Sequence, residues 1–165
     1  MTRALSVPAV RLAVPVCGDW VQLARTMRPD EIAQFEAMTG RDYNADQAAG
    51  AFIAAPGIKY ALIGADSAAF AAGCFEHVRP GVIETWGVGT LPAWSQHWRA
   101  ITKVCRRQID SFLANGAHRV QIVSLASRTA AHAWYERGLG LQREGTLRRY
   151  FPDGSDAVMH AKVRP

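Results

Sequence analysis

Three cysteines, Cys17, Cys74 and Cys105, are all that the 165 residues contain. An odd number at wide spacing makes neither a disulfide framework nor a C-x-x-C clamp. It suits a reducing compartment in which Cys74 and Cys105, among apolar neighbours, act as small hydrophobes. No apolar run reaches the roughly 18 residues of a membrane span. Beyond Arg3, the stretch ALSVPAVRLAVPVCG is interrupted by Pro8, Arg11 and Pro15 and lacks a small-residue cleavage site. A strand is expected there rather than a secretion signal, and a cytoplasmic protein with no membrane partner. H-E-x-x-H is missing and no loop groups carboxylates, so no metal is expected. The nucleophile elbow G-x-S-x-G and the phosphate loop G-x-x-x-x-G-K-[ST] are missing too. Gly87-Val88-Gly89 is too short for a dinucleotide fingerprint and reads as a bulge or a close backbone approach within a strand. Internal repeats and low-complexity segments are absent.

What is present describes a folded chain. Hydrophobic residues make up 49% and charged residues 20%, enough for one core, and a single domain over residues 1–165 is expected. The net charge of +5 permits an anionic partner without choosing one. Lys103, Arg106 and Arg107, and again Arg143, Arg148 and Arg149, read as solvated faces. Trp94 and Trp98 beside Arg99 and Lys103 come nearest to the aromatic and basic face that nucleic acid requires. Both tryptophans, however, fall on the apolar stripe of a helix. They are expected to be buried, and nucleic acid is not the expected partner.

Periodicity orders the elements. Val10–Val16 reads as a valine-rich edge strand, and Asp19 as the N-cap of a helix over WVQLARTM. RPDEIAQFEAMTG reads as a helix with Pro29 in its first turn, Asp30 and Glu31 at the positive end of its dipole, and Gly40 at its stop. NADQAAGAFIAAPG is a third helix, capped by Asn44 and stopped at Pro56-Gly57. Ile58–Gly64, Ala68–Val78 and Val82–Thr90 read as an antiparallel meander, turning at Ala65-Asp66-Ser67 and Arg79-Pro80-Gly81. Apolar residues at steps of three and four predict one long helix from Trp94 to Ala114. A strand over His118–Ala126, a helix capped by Ser127, a strand over LGLQREGTLRRYF, a turn at Pro152-Asp153-Gly154 and a last strand over DAVMHAKV complete the chain. The order predicts an α/β fold: a mixed, mostly antiparallel sheet with helices on both faces.

The stretch AHAWYERGLGLQREGTLRRY, from Ala131 to Tyr150, then stands out. With the element order it resembles the GNAT superfamily of N-acetyltransferases, whose final helix and strand read A-x-x-[FW]-Y-[EK]-[KR]-x-G-F. Ala131, Trp134, Tyr135, Glu136, Arg137 and Gly140 stand on matching positions. Leu141 replaces the usual Phe, and one residue, Gly138, is extra in the turn. The resemblance is nearest to small acetyltransferase-like proteins of tailed bacteriophages and prophages. It implies acetyl-CoA as cofactor, direct transfer to a small-molecule or protein amine, and a cofactor site at Val88, Thr90, Ser95, Gln96, Trp98, Arg99 and Ala100. The family's [QR]-x-x-G-x-[GA] loop holds pyrophosphate on backbone N–H groups. Here the corresponding stretch, TLPAWSQHWRAITK, has no glycine; Arg99 and Lys103 offer side-chain charge instead.

For catalysis the resemblance implies that Tyr135 protonates the departing thiolate; a core aromatic whose hydroxyl is tied to a carbonyl is the other reading. Glu84, flanked by Ile83 and Trp86 on the strand expected to border the acyl site, is the candidate base, an apolar setting being expected to raise its proton affinity. Glu76 and His77 are its rivals. His97 either touches phosphate or faces solvent, and His132 is expected to be exposed. The alternative to an enzyme is a protein of this fold without catalysis, serving as a phage-related structural component or as an interaction partner of itself or of a host protein.

Overall fold

The computed structural model describes residues 10–66 and 68–165; Arg3, Pro8 and the turn residue Ser67 lie outside them. The elements run β1 (Arg11–Ala13), α1 (Cys17–Arg25), α2 (Pro29–Thr39), α3 (Ala45–Ala54), β2 (Ile58–Ile63), β3 (Ala69–Arg79), β4 (Val82–Gly89), α4 (Leu91–Gln96), α5 (Trp98–Ala114), β5 (Arg119–Leu125), α6 (Thr129–Ala133), which continues as a π-helical turn (Trp134–Leu139), β6 (Gln142–Leu147) and β7 (Ala157–Val163). One seven-stranded sheet has the order β1-β2-β3-β4-β5-β7-β6. Every pairing is antiparallel except that of β4 with β5.

The period of two in the strands sorts their side chains to two faces. Ala61, Ile63, Ala72 and Val88 pack beneath Trp20 and Leu23 of α1 and Phe52 of α3. Phe75, Ile83, Val120 and Ile122 pack beneath Ile109 and Leu113 of α5 and beneath Tyr135 and Leu139. A smaller cluster joins Ala37 of α2 to Leu125, Phe151 and Ala157. Helices therefore cover both faces of a mixed, mostly antiparallel sheet.

Several local expectations change. β1 is three residues rather than seven. The first helix begins at Cys17; Asp19 sits inside it and its carboxylate accepts the Val16 N–H at 2.8 Å. Asn44 caps α3 as expected, accepting from the Gln47 N–H, and Gly40 closes α2 in the left-handed region at φ 65°. Arg128, not Ser127, precedes α6. The single helix expected over Trp94–Ala114 is broken at His97, whose φ of −120° and ψ of 10° end α4 and start α5. His97 stacks on Phe70 with centroids 4.6 Å apart.

Candidate active site

β4 and β5 pair at only three positions, Val82 with Arg119, Ile83 with Val120 and Glu84 with Gln121. From Thr85 onwards the two strands part. Each strand follows its antiparallel neighbour. β4 stays with β3 as far as Gly89, and β5 stays with β7 as far as Leu125. Because sheets twist, the two halves diverge once they stop exchanging hydrogen bonds. A cavity of about 360 Å³ opens between them, walled by Trp86 and Val88 of β4, Ile122 of β5, Ile101 of α5, and Trp134 and Tyr135 after α6.

Of the four indoles that border this space, those of Trp94 and Trp134 each lie over a glycine. A Cβ on Gly89 would stand 2.8 Å from Trp94 Nε1, and one on Gly138 would stand 2.6 Å from Trp134 Cδ1. The glycine at the end of β4 thus marks a close approach, as expected of the Gly-Val-Gly stretch. Trp94 and Trp134 meet edge to face at 4.9 Å, and Trp134 Nε1 donates to Thr102 Oγ1 at 2.8 Å. Gly138 falls within the π-helical turn, where the helix widens. Gly140, at φ 72°, ends the turn and its N–H returns to the Tyr135 carbonyl. Tyr135 therefore stays on the cavity wall, 4% exposed. Burial pushes its phenol up; Arg128 and Ser124 draw it back, while Glu31 and Asp30 raise it further. The Ser124 hydroxyl acts by proximity, since its Oγ makes no hydrogen bond of sound geometry.

Two acidic residues, Asp30 and Glu31, line the cavity; Glu84 is not among them. Glu84 is the last paired residue before the opening, but its carboxylate accepts from Gln121 Nε2 at 2.9 Å; Gln121 in turn accepts from Arg119, which clasps Glu144. Glu31 comes from the first turn of α2, is 3% exposed, and lines the cavity with Arg28, Asp30 and Arg128. Its carboxylate accepts the Gly89 N–H at 3.0 Å and the Trp94 indole N–H at 3.1 Å, and pairs with Arg28 at 3.1 Å. Burial pushes its pKa up, against the pull of the Gly89 N–H, Arg28 and Arg128. The sequence had shown Glu31 only as a favourable charge at a helix start; no local pattern says that a helix terminus will meet the end of a strand 58 residues away. Cys105 also lines the cavity, and burial pushes its thiol up to about 12, which keeps it a thiol.

Among the expected cofactor positions, Val88 and Trp98 line the cavity. Thr90 is buried and spends its hydroxyl capping α4, accepting from the Ala93 N–H. Ser95 and Gln96 are exposed on α4, with the Ser95 hydroxyl turned back to the Pro92 carbonyl. Ala100 is half-buried. Trp98, expected in the core, is 45% exposed, with the Arg99 guanidinium 4.8 Å over its ring. The break at His97 explains it: the stripe of α5 starts afresh, and its first residue falls on the solvent side. His132, expected to be exposed, is 8% exposed. Among the described residues, no group of three or more His, Cys, Asp and Glu side chains could hold a metal, and no helix is long and apolar enough to cross a membrane.

This architecture is found among solved structures. A GCN5-related N-acetyltransferase from Kribbella flavida superposes with a TM-score of 0.70 at 16% identity, covering 94% of this chain and 98% of that one. An N-acetyltransferase from Staphylococcus aureus gives 0.69 at 14% identity, over 95% and 99%. A GNAT-family acetyltransferase from Bacillus anthracis gives 0.66 at 13% identity, over 96% and 97%. The fold is that of the GNAT acetyltransferases. No family model matches the sequence, and no curated protein does. At these identities the likeness speaks for the GNAT fold and not for a substrate.

Proposed function

We propose that the protein is an N-acetyltransferase that uses acetyl-CoA and transfers the acetyl group directly to an amine. The observation that supports this most is the Tyr135 phenol on the wall of a cavity that opens where β4 and β5 part. Bound there, acetyl-CoA supplies an acyl group activated as a thioester. The apolar walls suit the acyl end and keep water from it. The nucleotide end meets a short helix, α4, in place of the family's loop. The Trp94 and His97 N–H groups are spent on the Thr90 and Ala93 carbonyls, which leaves the first turn of α5 as the source of backbone donors. Side chains add to them: Trp98, Arg99, Lys103, Arg106 and Arg107 share one groove along α5, and none of these four cations is in an ion pair among the described residues.

Around the cavity three groups divide the chemistry. Glu31, whose proton affinity burial has raised, takes the proton that the acceptor ammonium must lose. The Thr90 N–H points to β3, where it donates to the Phe70 carbonyl, and that of Gly89 points away to Glu31. Strand alternation therefore turns the Gly87 N–H into the gap, where it serves as an oxyanion donor. Tyr135 gives its phenolic proton to the leaving sulfur.

A second reading has a specific observation in its favour: α4 stands in place of the glycine loop and its Ala93, Trp94 and His97 N–H groups are bonded to Thr90 and Ala93, as expected of a GNAT-fold protein that has become an interaction component, for example of a phage particle. Calorimetric titration with acetyl-CoA, followed by thiol release with a panel of amines, separates the two. Binding with thiol release supports the enzyme. No heat and no thermal shift at millimolar acetyl-CoA overturns it in favour of the second reading.

A further inference from the structure

Behind the phenol lies a group of buried polar side chains that this chemistry leaves unused. His132 precedes Tyr135 by one helical turn, His160 comes from β7 and Ser124 from β5. The two imidazoles stack with centroids 5.2 Å apart and planes 17° apart, and Tyr135 lies edge-on to His160 at 5.4 Å. His160 is 0% exposed. Its Nε2 is 3.1 Å from Oε1 of Glu136, whose side chain is 45% exposed. His132 Nε2 is 3.0 Å from the Leu125 carbonyl oxygen. The remaining polar atoms, Ser124 Oγ, His132 Nδ1 and His160 Nδ1, are buried with no protein partner. Register places Ile122 opposite His160 and Ser124 opposite Val158, so Ser124 and His160 are diagonal neighbours on one face, within reach of a long side chain. Buried polar atoms left over in this way are matched in native proteins by ordered water. A purely structural core would place apolar side chains here.

We infer that Ser124, His160 and Glu136, bridged by internal water, form a proton path that restores the Tyr135 phenol from solvent; the inference rests on the acetyl-transfer reading. The phenol O–H breaks as its proton passes to the leaving sulfur. The phenolate then takes a proton from Ser124 Oγ, and Oγ takes one from Nδ1–H of the neutral His160 as its Nε2 accepts one from water beside the exposed Glu136. Internal water then carries the Nε2 proton back to Nδ1, restoring the starting tautomer. No electrons are exchanged; the amine nitrogen gives up two protons in all through Glu31, one offsetting the proton drawn in and the other released to solvent. His132 is a positioning residue: with Nε2 bound to a carbonyl it stacks against His160 as a neutral ring, its pKa lowered by burial. The other charged groups facing the path are Arg128, Asp30 and Glu31 beside the phenol and Arg143, which lies opposite His160 on β6.

The test joins nitrogen-15 NMR of the imidazoles to steady-state kinetics in the full chain. With the path in place, Ser124→Ala and Tyr135→Phe each move the ring-nitrogen signals of His160. The partly exposed Glu136→Gln lowers kcat by about tenfold with KM for acetyl-CoA unchanged, and small protonated amine buffers restore it. Turnover by the unaltered protein with His160 signals that ignore both variants, or Glu136→Gln within about twofold of the unaltered kcat, overturns the path alone. No turnover by the unaltered protein overturns the acetyl-transfer reading and the role of the path with it.

Discussion

The two ends of the gap treat the shared fold differently. At the end of α6 an extra glycine has been taken up without displacing the phenol: the helix widens for one turn, Trp134 lies across Gly138, and Tyr135 remains on the cavity wall. After β4 no glycine follows and the segment is the short helix α4, whose Trp94 and His97 N–H groups bond to the Thr90 and Ala93 carbonyls, while the cations stand on side chains farther along α5. An insertion within a helix is absorbed locally because the backbone can rearrange its hydrogen bonds over one turn. Loss of a glycine loop is not, because its function was the exposed backbone itself.

The comparison breaks most readily at the phenol. Tyr135→Phe keeps the ring and its packing, so turnover should fall by about 100-fold with the calorimetric Kd for acetyl-CoA unchanged; a loss of binding with turnover intact would reverse the roles of the two ends. Gly138→Ala attacks the device that holds the phenol in place. Its methyl meets the Trp134 indole, and overpacking of this kind costs about 1–3 kcal/mol, visible as a lower Tm and a weakened Trp134–Thr102 hydrogen bond. Arg99→Glu combined with Lys103→Glu attacks the rebuilt end, and should raise Kd for acetyl-CoA by about tenfold at low salt, with the difference shrinking as salt is added. The smallest effect is a stability change with pH. Burial lowers the His132 pKa, so the unfolded chain binds the extra proton below about pH 6.5. Stability present above that value is lost as pH falls. Tm should begin to drop there, before Glu144 and Asp153 titrate, since their carboxylates are held below the usual range by the Arg119 and Ser155 hydrogen bonds respectively. His132→Phe should flatten the first part of that slope.

Much of the architecture was legible because short-range patterns carry it. Alternation in β2, β3 and β4, the Asn44 cap, the Gly40 stop and the Trp-Tyr pair before Gly140 are readable within a few residues of themselves. Misreadings arose where a residue's surroundings come from elsewhere. Trp98 fits the apolar stripe of a continuous helix, but His97 stacks on Phe70 of β3 and the helix breaks there. His132 looks like a surface histidine until His160 is placed against it. Glu84 has Ile83 and Trp86 near it in sequence, yet its carboxylate is taken by Gln121 of β5, while Glu31 acquires its buried setting from Gly89 and Trp94.

By itself the sequence determined the element types, the meander, the helical approach to Tyr135 and the lack of a glycine cradle, since periodicity, caps and missing residue types are local properties. Only the tertiary structure decided where β4 and β5 separate, which carboxylate enters the cavity and which histidines are buried. Those outcomes depend on contacts between residues tens of positions apart, and burial, which sets their proton affinities, is a property of the assembled chain.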